Sequence, residues 1–159
     1  DAHLPRGCVP YLPSSVDVLL RVVEHADVRE GDVFVDIGAG LGRAAALVHL
    51  LTGAASVGIE VQPALVRAAR ALAARTSASR LSFVEGDAAA MVDALASGSV
   101  FFLYCPFSGE RLARVLAALE RVARPIRVCC VDLPLPPCVW LTRVSPPSGD
   151  LAVYRSSSG

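Results

Sequence analysis

Apolar residues along this chain of 159 residues keep two alternating rhythms, and the alternation predicts the fold class. Short runs rich in Val, Ile, Phe and Leu at 33–37, 56–60, 81–85, 99–104 and 126–132 read as strands covered on both faces, because polar residues seldom interrupt them. Between them, 42–52, 63–75, 88–96 and 109–122 carry Ala, Leu and Val in helical stretches. An earlier helix begins at Ser14, where Ser14 and Asp17 form a box of capping type and Val16, Leu19, Leu20 and Val23 make one apolar face. Strand–helix alternation of this kind predicts an α/β fold, a doubly wound, Rossmann-like sheet with right-handed crossovers in a three-layer αβα sandwich. Two last strands, about 138–144 and 150–155, are separated only by Ser145-Pro-Pro-Ser-Gly149, too short for a parallel crossover, so they form an antiparallel hairpin. Seven strands, mostly parallel, are expected in one domain over 1–159, with an irregular segment at 1–13 and a tail at 156–159.

The break at 36–43 carries the chemistry. Asp36-Ile-Gly38-Ala-Gly40-Leu-Gly42-Arg43 leaves the first strand and opens a helix, and its glycines can adopt backbone angles closed to other residues and let a ligand approach the helix start. A dinucleotide fingerprint, G-x-G-x-x-G, would place its third glycine at position 43, which is Arg43. The second strand ends in Glu60, roughly 20 residues beyond Gly38, where a carboxylate in a nucleotide-binding βαβ unit accepts from ribose hydroxyls. The third closes on Gly86-Asp87-Ala88, and Asp87 is equally placed to cap the helix that follows. The fourth ends in Tyr104-Cys105-Pro106-Phe107.

Together, D-x-G-x-G-x-G, the acid at Glu60, the G-D-A segment and the aromatic-Cys-Pro-aromatic turn resemble the motifs of the class I S-adenosylmethionine-dependent methyltransferases, over about 14–155. That resemblance implies S-adenosyl-L-methionine as cofactor, with S-adenosyl-L-homocysteine as product. It implies cofactor contacts from Tyr11, Asp36, Gly38, Ala39, Gly40, Gly42, Glu60, Val61, Gly86, Asp87 and Ala88, with Asp36 and the amides of the glycine turn on the methionine part. It also places the reacting methyl group against Tyr104, Cys105, Pro106 and Phe107. Cys105 departs from the pattern: amino-methylating members often carry Asn or Asp there, and a thiol is a poor hydrogen-bond acceptor, so its contribution is one of shape unless it orients the acceptor itself. The family's usual helix between the fifth and sixth strands is missing, since Leu133-Pro-Leu-Pro-Pro137 cannot be helical.

Composition narrows the partners. The five cysteines, Cys8, Cys105, Cys129, Cys130 and Cys138, include no C-x-x-C pair, which argues against a metal site and for thiols kept reduced in the cytoplasm. All 15 basic residues are Arg, spread along the helices against an equal number of acids, so no basic cluster indicates a nucleic-acid partner. The mean hydropathy of +0.51 is high, yet no apolar run approaches the roughly 20 residues of a membrane span. Arg without Lys, beside abundant Ala, suggests a GC-rich bacterial genome. His3, His25, His49 and Arg43 receive no catalytic assignment. The acceptor, small molecule or protein side chain, and the oligomeric state are not encoded in any motif. Two other readings remain open at this point: a binding protein for the same cofactor without transfer activity, and a nicotinamide-dependent oxidoreductase, which Arg43 and the lack of Lys disfavour.

Overall fold

A computed structural model describes residues 13–76, 78–104, 109–146 and 149–157. Seven strands form one sheet: β1 (Val33–Ile37), β2 (Ala55–Glu60), β3 (Leu81–Glu85), β4 (Val100–Tyr104), β5 (Arg127–Val131), β6 (Leu141–Arg143) and β7 (Leu151–Ser156). Their order is β3-β2-β1-β4-β5-β7-β6; the first five run parallel, β7 lies antiparallel to β5, and β6 antiparallel to β7. The helices are α1 (Val16–His25), α2 (Arg43–Thr52), α3 (Pro63–Thr76), α4 (Val92–Ala96) and α5 (Gly109–Glu120).

Strand alternation explains the three layers. Phe34, Val100, Phe102, Cys129 and Val131 pack beneath α1 and α2, while their neighbours Val35, Ile37, Phe101, Leu103, Val128 and Cys130 pack against α4 and α5. Phe34 and Phe102 stack with ring centroids 5.9 Å apart. Cys129 and Cys130 thus face opposite layers as small core residues, and burial pushes the Cys129 thiol up to about 12. A third cluster, with Val66, Ala69, Leu81 and Phe83, seats α3 beside α2.

At the opposite end of the sheet from the glycine turn, one polar network ties three strands together. Arg127 donates to the carbonyls of Ala26 at 2.6 Å and Asp27 at 2.9 Å and pairs with Asp32, whose carboxylate also accepts from Ser99 at 2.8 Å. The Ser99 hydroxyl in turn accepts from the Val33 amide at 3.0 Å.

Some boundaries differ from those the apolar pattern predicts, each for a local reason. Ser15, not Ser14, is the cap of α1, accepting from the Val18 amide at 3.3 Å. The helix expected over 88–96 splits into a 3₁₀ turn, Ala88–Ala90, and the short α4, because Met91 leaves helical angles (φ −104°, ψ 55°) with its sulfur lying over Gly86. The strand expected at 138–144 shrinks to β6, since the Leu141 amide closes a turn onto the Cys138 carbonyl at 3.1 Å.

Gly58 is required by packing. It lies between Asp36 and Phe83 in register, and a Cβ there would meet the Phe83 ring at 2.5 Å and the Ala39 methyl at 2.7 Å. Gly58→Ala should therefore cost about 1–3 kcal/mol in urea unfolding, the range for overpacking a tight core, and Phe83→Leu in the same chain should recover part of it. Equal stability of wild type and Gly58→Ala would show that the ring has room to move.

Candidate functional site

The strand order reverses at β1, with β2 on one side and β4 on the other, so the carboxyl ends of these strands open a crevice. Asp36, Gly38 and Ala39 from β1 and its turn, Arg43 and Ala44 from α2, Phe102 and Tyr104 from β4, and Pro13 and Ser14 ahead of α1 line a small cavity there.

The turn is built on left-handed backbone. Gly38, Gly40 and Gly42 have φ of 84°, 55° and 79°, which only glycine adopts without strain. Its amides are largely engaged within the protein: Gly38 and Ala39 both donate to the Ile59 carbonyl at 2.8 and 3.0 Å, Gly42 donates to Ala39 at 2.8 Å, and Gly40 donates to the Glu60 carboxylate at 2.9 Å. The family resemblance assigns the methionine part to these turn amides; among the described residues, the donors left without a protein acceptor include instead those of Arg43 and Ala44 in the first turn of α2. Gly42 has a packing reason of its own, because a Cβ there would sit 2.3 Å from the Phe83 ring.

Glu60 is 7% exposed and accepts from two amides, Gly40 on one oxygen and Gln62 on the other, each at 2.9 Å. A carboxylate offers about four lone-pair positions, so each oxygen keeps one for a ligand hydroxyl. Val61 follows it, half-buried. Gly86 donates to the Glu60 carbonyl at 2.9 Å, which joins the ends of β2 and β3.

Asp87 does what its position allows and more. One oxygen caps the 3₁₀ turn by accepting from Ala89 at 3.0 Å, and the other pairs with Arg111 of α5 at 3.2 Å. Arg111 gives no signal in the sequence, being one of two Arg on an amphipathic helix. Ala88 is buried in the core. Tyr11, Cys105, Pro106 and Phe107 lie outside the described residues. Among the described residues, no group of three His, Cys, Asp or Glu could hold a metal ion, and no helix is long and apolar enough to cross a membrane.

Asp36 is 4% exposed, and burial raises its carboxyl to about 7, with the Ala45 amide opposing the rise and the nearby Glu60 charge adding to it.

A profile described as a methyltransferase domain matches residues 34–126. Among solved structures, the chain is similar to an RNA methyltransferase from Salinibacter ruber in complex with S-adenosyl-L-homocysteine, at 28% identity and a TM-score of 0.75, covering 91% of this chain and 92% of that one. It shares its fold with the PH0226 protein from Pyrococcus horikoshii (15% identity, TM-score 0.70, 89% of each chain). The same holds for a point mutant of MtNAS in complex with S-adenosylmethionine, at 17% identity and a TM-score of 0.71, covering 91% of this chain and 62% of that one. No curated protein sequence matches significantly.

The Asp36 environment makes a signed prediction. Its carboxyl stays protonated in the folded state between the ordinary value of 3.8 and about 7, whereas the unfolded chain has already released the proton, so folded stability falls as pH rises through that window and levels off above it. Asp36→Asn should remove this part of the decline: in ligand-free thermal melts, the variant's advantage over wild type should grow from pH 4 to pH 7. A pH-independent difference would contradict it.

Proposed function

The chain belongs to the family of methyltransferase domains and is an S-adenosylmethionine-dependent methyltransferase, and on that premise we propose how its own residues divide the cofactor and admit an acceptor. Asp36 pairs with the ammonium of the methionine end. The Arg43 and Ala44 amides, with the helix dipole behind them, receive its carboxylate. Glu60 uses its two remaining lone pairs on the ribose hydroxyls, while Asp87 and Ala88, with Gly86 before them, bound the adenine. Tyr104 lines the cavity beside Asp36 and Phe102 and walls the side where the methyl group is presented. The family resemblance assigns Cys105, Pro106, Phe107 and Tyr11, which lie outside the described residues, to the same acceptor side. We assign Cys105 to shape, not chemistry.

The cofactor supplies a sulfonium methyl group open to in-line displacement. For such a reaction the protein's work is mostly positional: it binds, orients and excludes water. The single observation that carries this reading is the pairing of a buried Asp36 near neutrality with a Glu60 that keeps one lone pair free on each oxygen, both at the switch point of the sheet. Reduced cysteines in the core support a cytoplasmic location, and the Arg-only, Ala-rich composition a bacterial one.

The acceptor we favour is a small molecule or protein side chain. The Salinibacter neighbour supports RNA as a second class. Tritiated S-adenosylmethionine incubated with the protein and a bacterial extract, then split by nuclease and protease, separates the two: label lost with protease or found in small molecules supports the first, label lost with nuclease the second.

The cofactor assignment is tested by calorimetry with S-adenosylhomocysteine. Glu60→Ala should weaken binding by roughly 1.5–3 kcal/mol, the range for hydrogen bonds to a charged group. An unchanged dissociation constant would reduce Glu60 to a structural strut. Thermal stabilisation of the wild type by NAD and not by S-adenosylhomocysteine would overturn the whole reading.

A further inference from the structure

By its sequence, α2 is a helix built for burial. Arg43 is its one Arg, Lys, Asp or Glu, and apolar residues run around its whole circumference, the pattern of a helix covered on every side. Its inner face meets the sheet through Ala44 and Val48, yet Leu50 is 65% exposed and Leu51 is half-exposed beside it. The flanking helices add Val16 and Leu20 from α1 and Leu72 from α3 to the same outer surface. Among the described residues these are five of the seven large apolar side chains left exposed, so the exposure is concentrated on one face; the other two, Val139 and Val144, lie on either side of β6 at the far edge of the sheet. Val16, Leu19, Leu47, Leu50 and Leu72 line a groove of about 270 Å³ between the three helices. Contiguous exposed apolar surface of this kind is where proteins bind partners.

The charges around the groove decide which partner fits. On α1 the acids Asp17 and Glu24 are exposed beside Val16 and Leu20, and among the described residues neither has an ion pair, whereas Arg21 is tied to Asp150 at 2.7 Å. The other flank is basic: residues 61–84 hold Arg67, Arg70, Arg75 and Arg80 and no acid. Arg70 donates to the Phe83 carbonyl at 2.9 Å, and Arg80 to those of Gly53 and Glu30 at 3.0 and 3.1 Å. Arg67 and Arg75 are exposed on α3 without an acid among the described residues. Because α1 packs towards β7 and α3 against β3, the acids and the bases stand on opposite sides of the apolar α2.

We propose that this face binds a second copy of the chain, in an isologous dimer whose two-fold axis lies in the interface and runs along α2. Such an axis sets α2 against α2 and lays the α1 of each copy over the α3 of the other. The exposed leucines of α2 then bury one another, and the acids of α1 come opposite the arginines of α3 on both sides of the axis. All three helices begin at the cofactor edge, and Glu24 and Arg75 both lie in the last turn of theirs, so the axis brings these two ends together. A uniformly anionic partner, a nucleic acid or an acidic membrane, would meet like charge at α1; a copy turned by the two-fold offers each flank its opposite. The formal net charge of zero leaves no general repulsion between copies. Ser14 and Arg43 border both the groove and the cofactor cavity, so the interface runs up to the mouth of that site.

Sedimentation equilibrium of the full chain without ligand, over a concentration series, should show monomer and dimer exchanging by mass action. Leu50→Glu should raise the dimer dissociation constant about tenfold or more, the effect of a charge placed at the centre of an apolar interface, and leave the melting of the dilute monomer unchanged. The direction of the axis is read from charge: Glu24→Arg and Arg75→Glu should each weaken the dimer about fivefold or more, and the two together should recover most of the loss. Damage to the fold of either helix could not give that recovery. A monomer at every concentration would overturn the proposal and leave the groove to residues 1–12 or to a different protein. A dimer indifferent to Leu50→Glu, or charge reversals that do not compensate each other, would overturn it as well and place the contact elsewhere on the chain.

Discussion

The hydrogen bonds that Glu60 accepts from Gly40 and Gln62 set the geometry of the whole ligand edge. Left-handed glycines make the turn after β1 possible, yet glycines alone leave it free to sample many shapes and lose the most backbone freedom on ordering. The buried carboxylate at the end of β2 removes that freedom. It reaches across to the Gly40 amide while the Ile59 carbonyl, one residue earlier, takes the amides of Gly38 and Ala39. The turn thus hangs from β2, and α2 begins where β2 dictates. Pre-organisation of this kind lowers the ordering cost that a ligand would otherwise meet on binding.

The same constraint explains the pairing of acids. Burial is the main cause that raises the Asp36 carboxyl, with the nearby Glu60 charge adding least, and among the described residues Glu60 accepts from two amides whereas Asp36 accepts from the Ala45 amide. Asp36 is left raised towards neutrality. Phe83 enforces the arrangement from beneath. Its ring fills the space left by Gly42 and Gly58, so the start of α2 and the middle of β2 are held at a spacing that only glycine permits.

Much of this is legible in the amino-acid sequence. The five parallel strands and the hairpin stand where the apolar runs and the Pro-rich link place them, because strands buried on both faces leave little polar interruption to misread. Spacing from Gly38 singles out Glu60, and the resemblance of Gly86-Asp87-Ala88 to the family's G-D-A segment singles out Asp87. Hidden from the sequence are features decided by neighbours distant in the chain: that Ile59 consumes the turn amides, that Arg111 of α5 reaches Asp87, that the Gly42 position is claimed by Phe83, and that Met91 interrupts a helix by folding over Gly86. Two adjacent serines offer the same cap chemistry, and only the backbone decides for Ser15.

The central claim is that one carboxylate shapes the turn in the ligand-free protein. Amide hydrogen exchange without ligand, compared between wild type and Glu60→Gln, tests it most directly. The Gly40 amide should be protected in the wild type and lose protection by about tenfold or more in the variant, while core amides of β4 and β5 are unchanged. Equal protection of Gly40 in the two proteins would contradict the claim and assign the shape of the turn to the glycines and Phe83 alone.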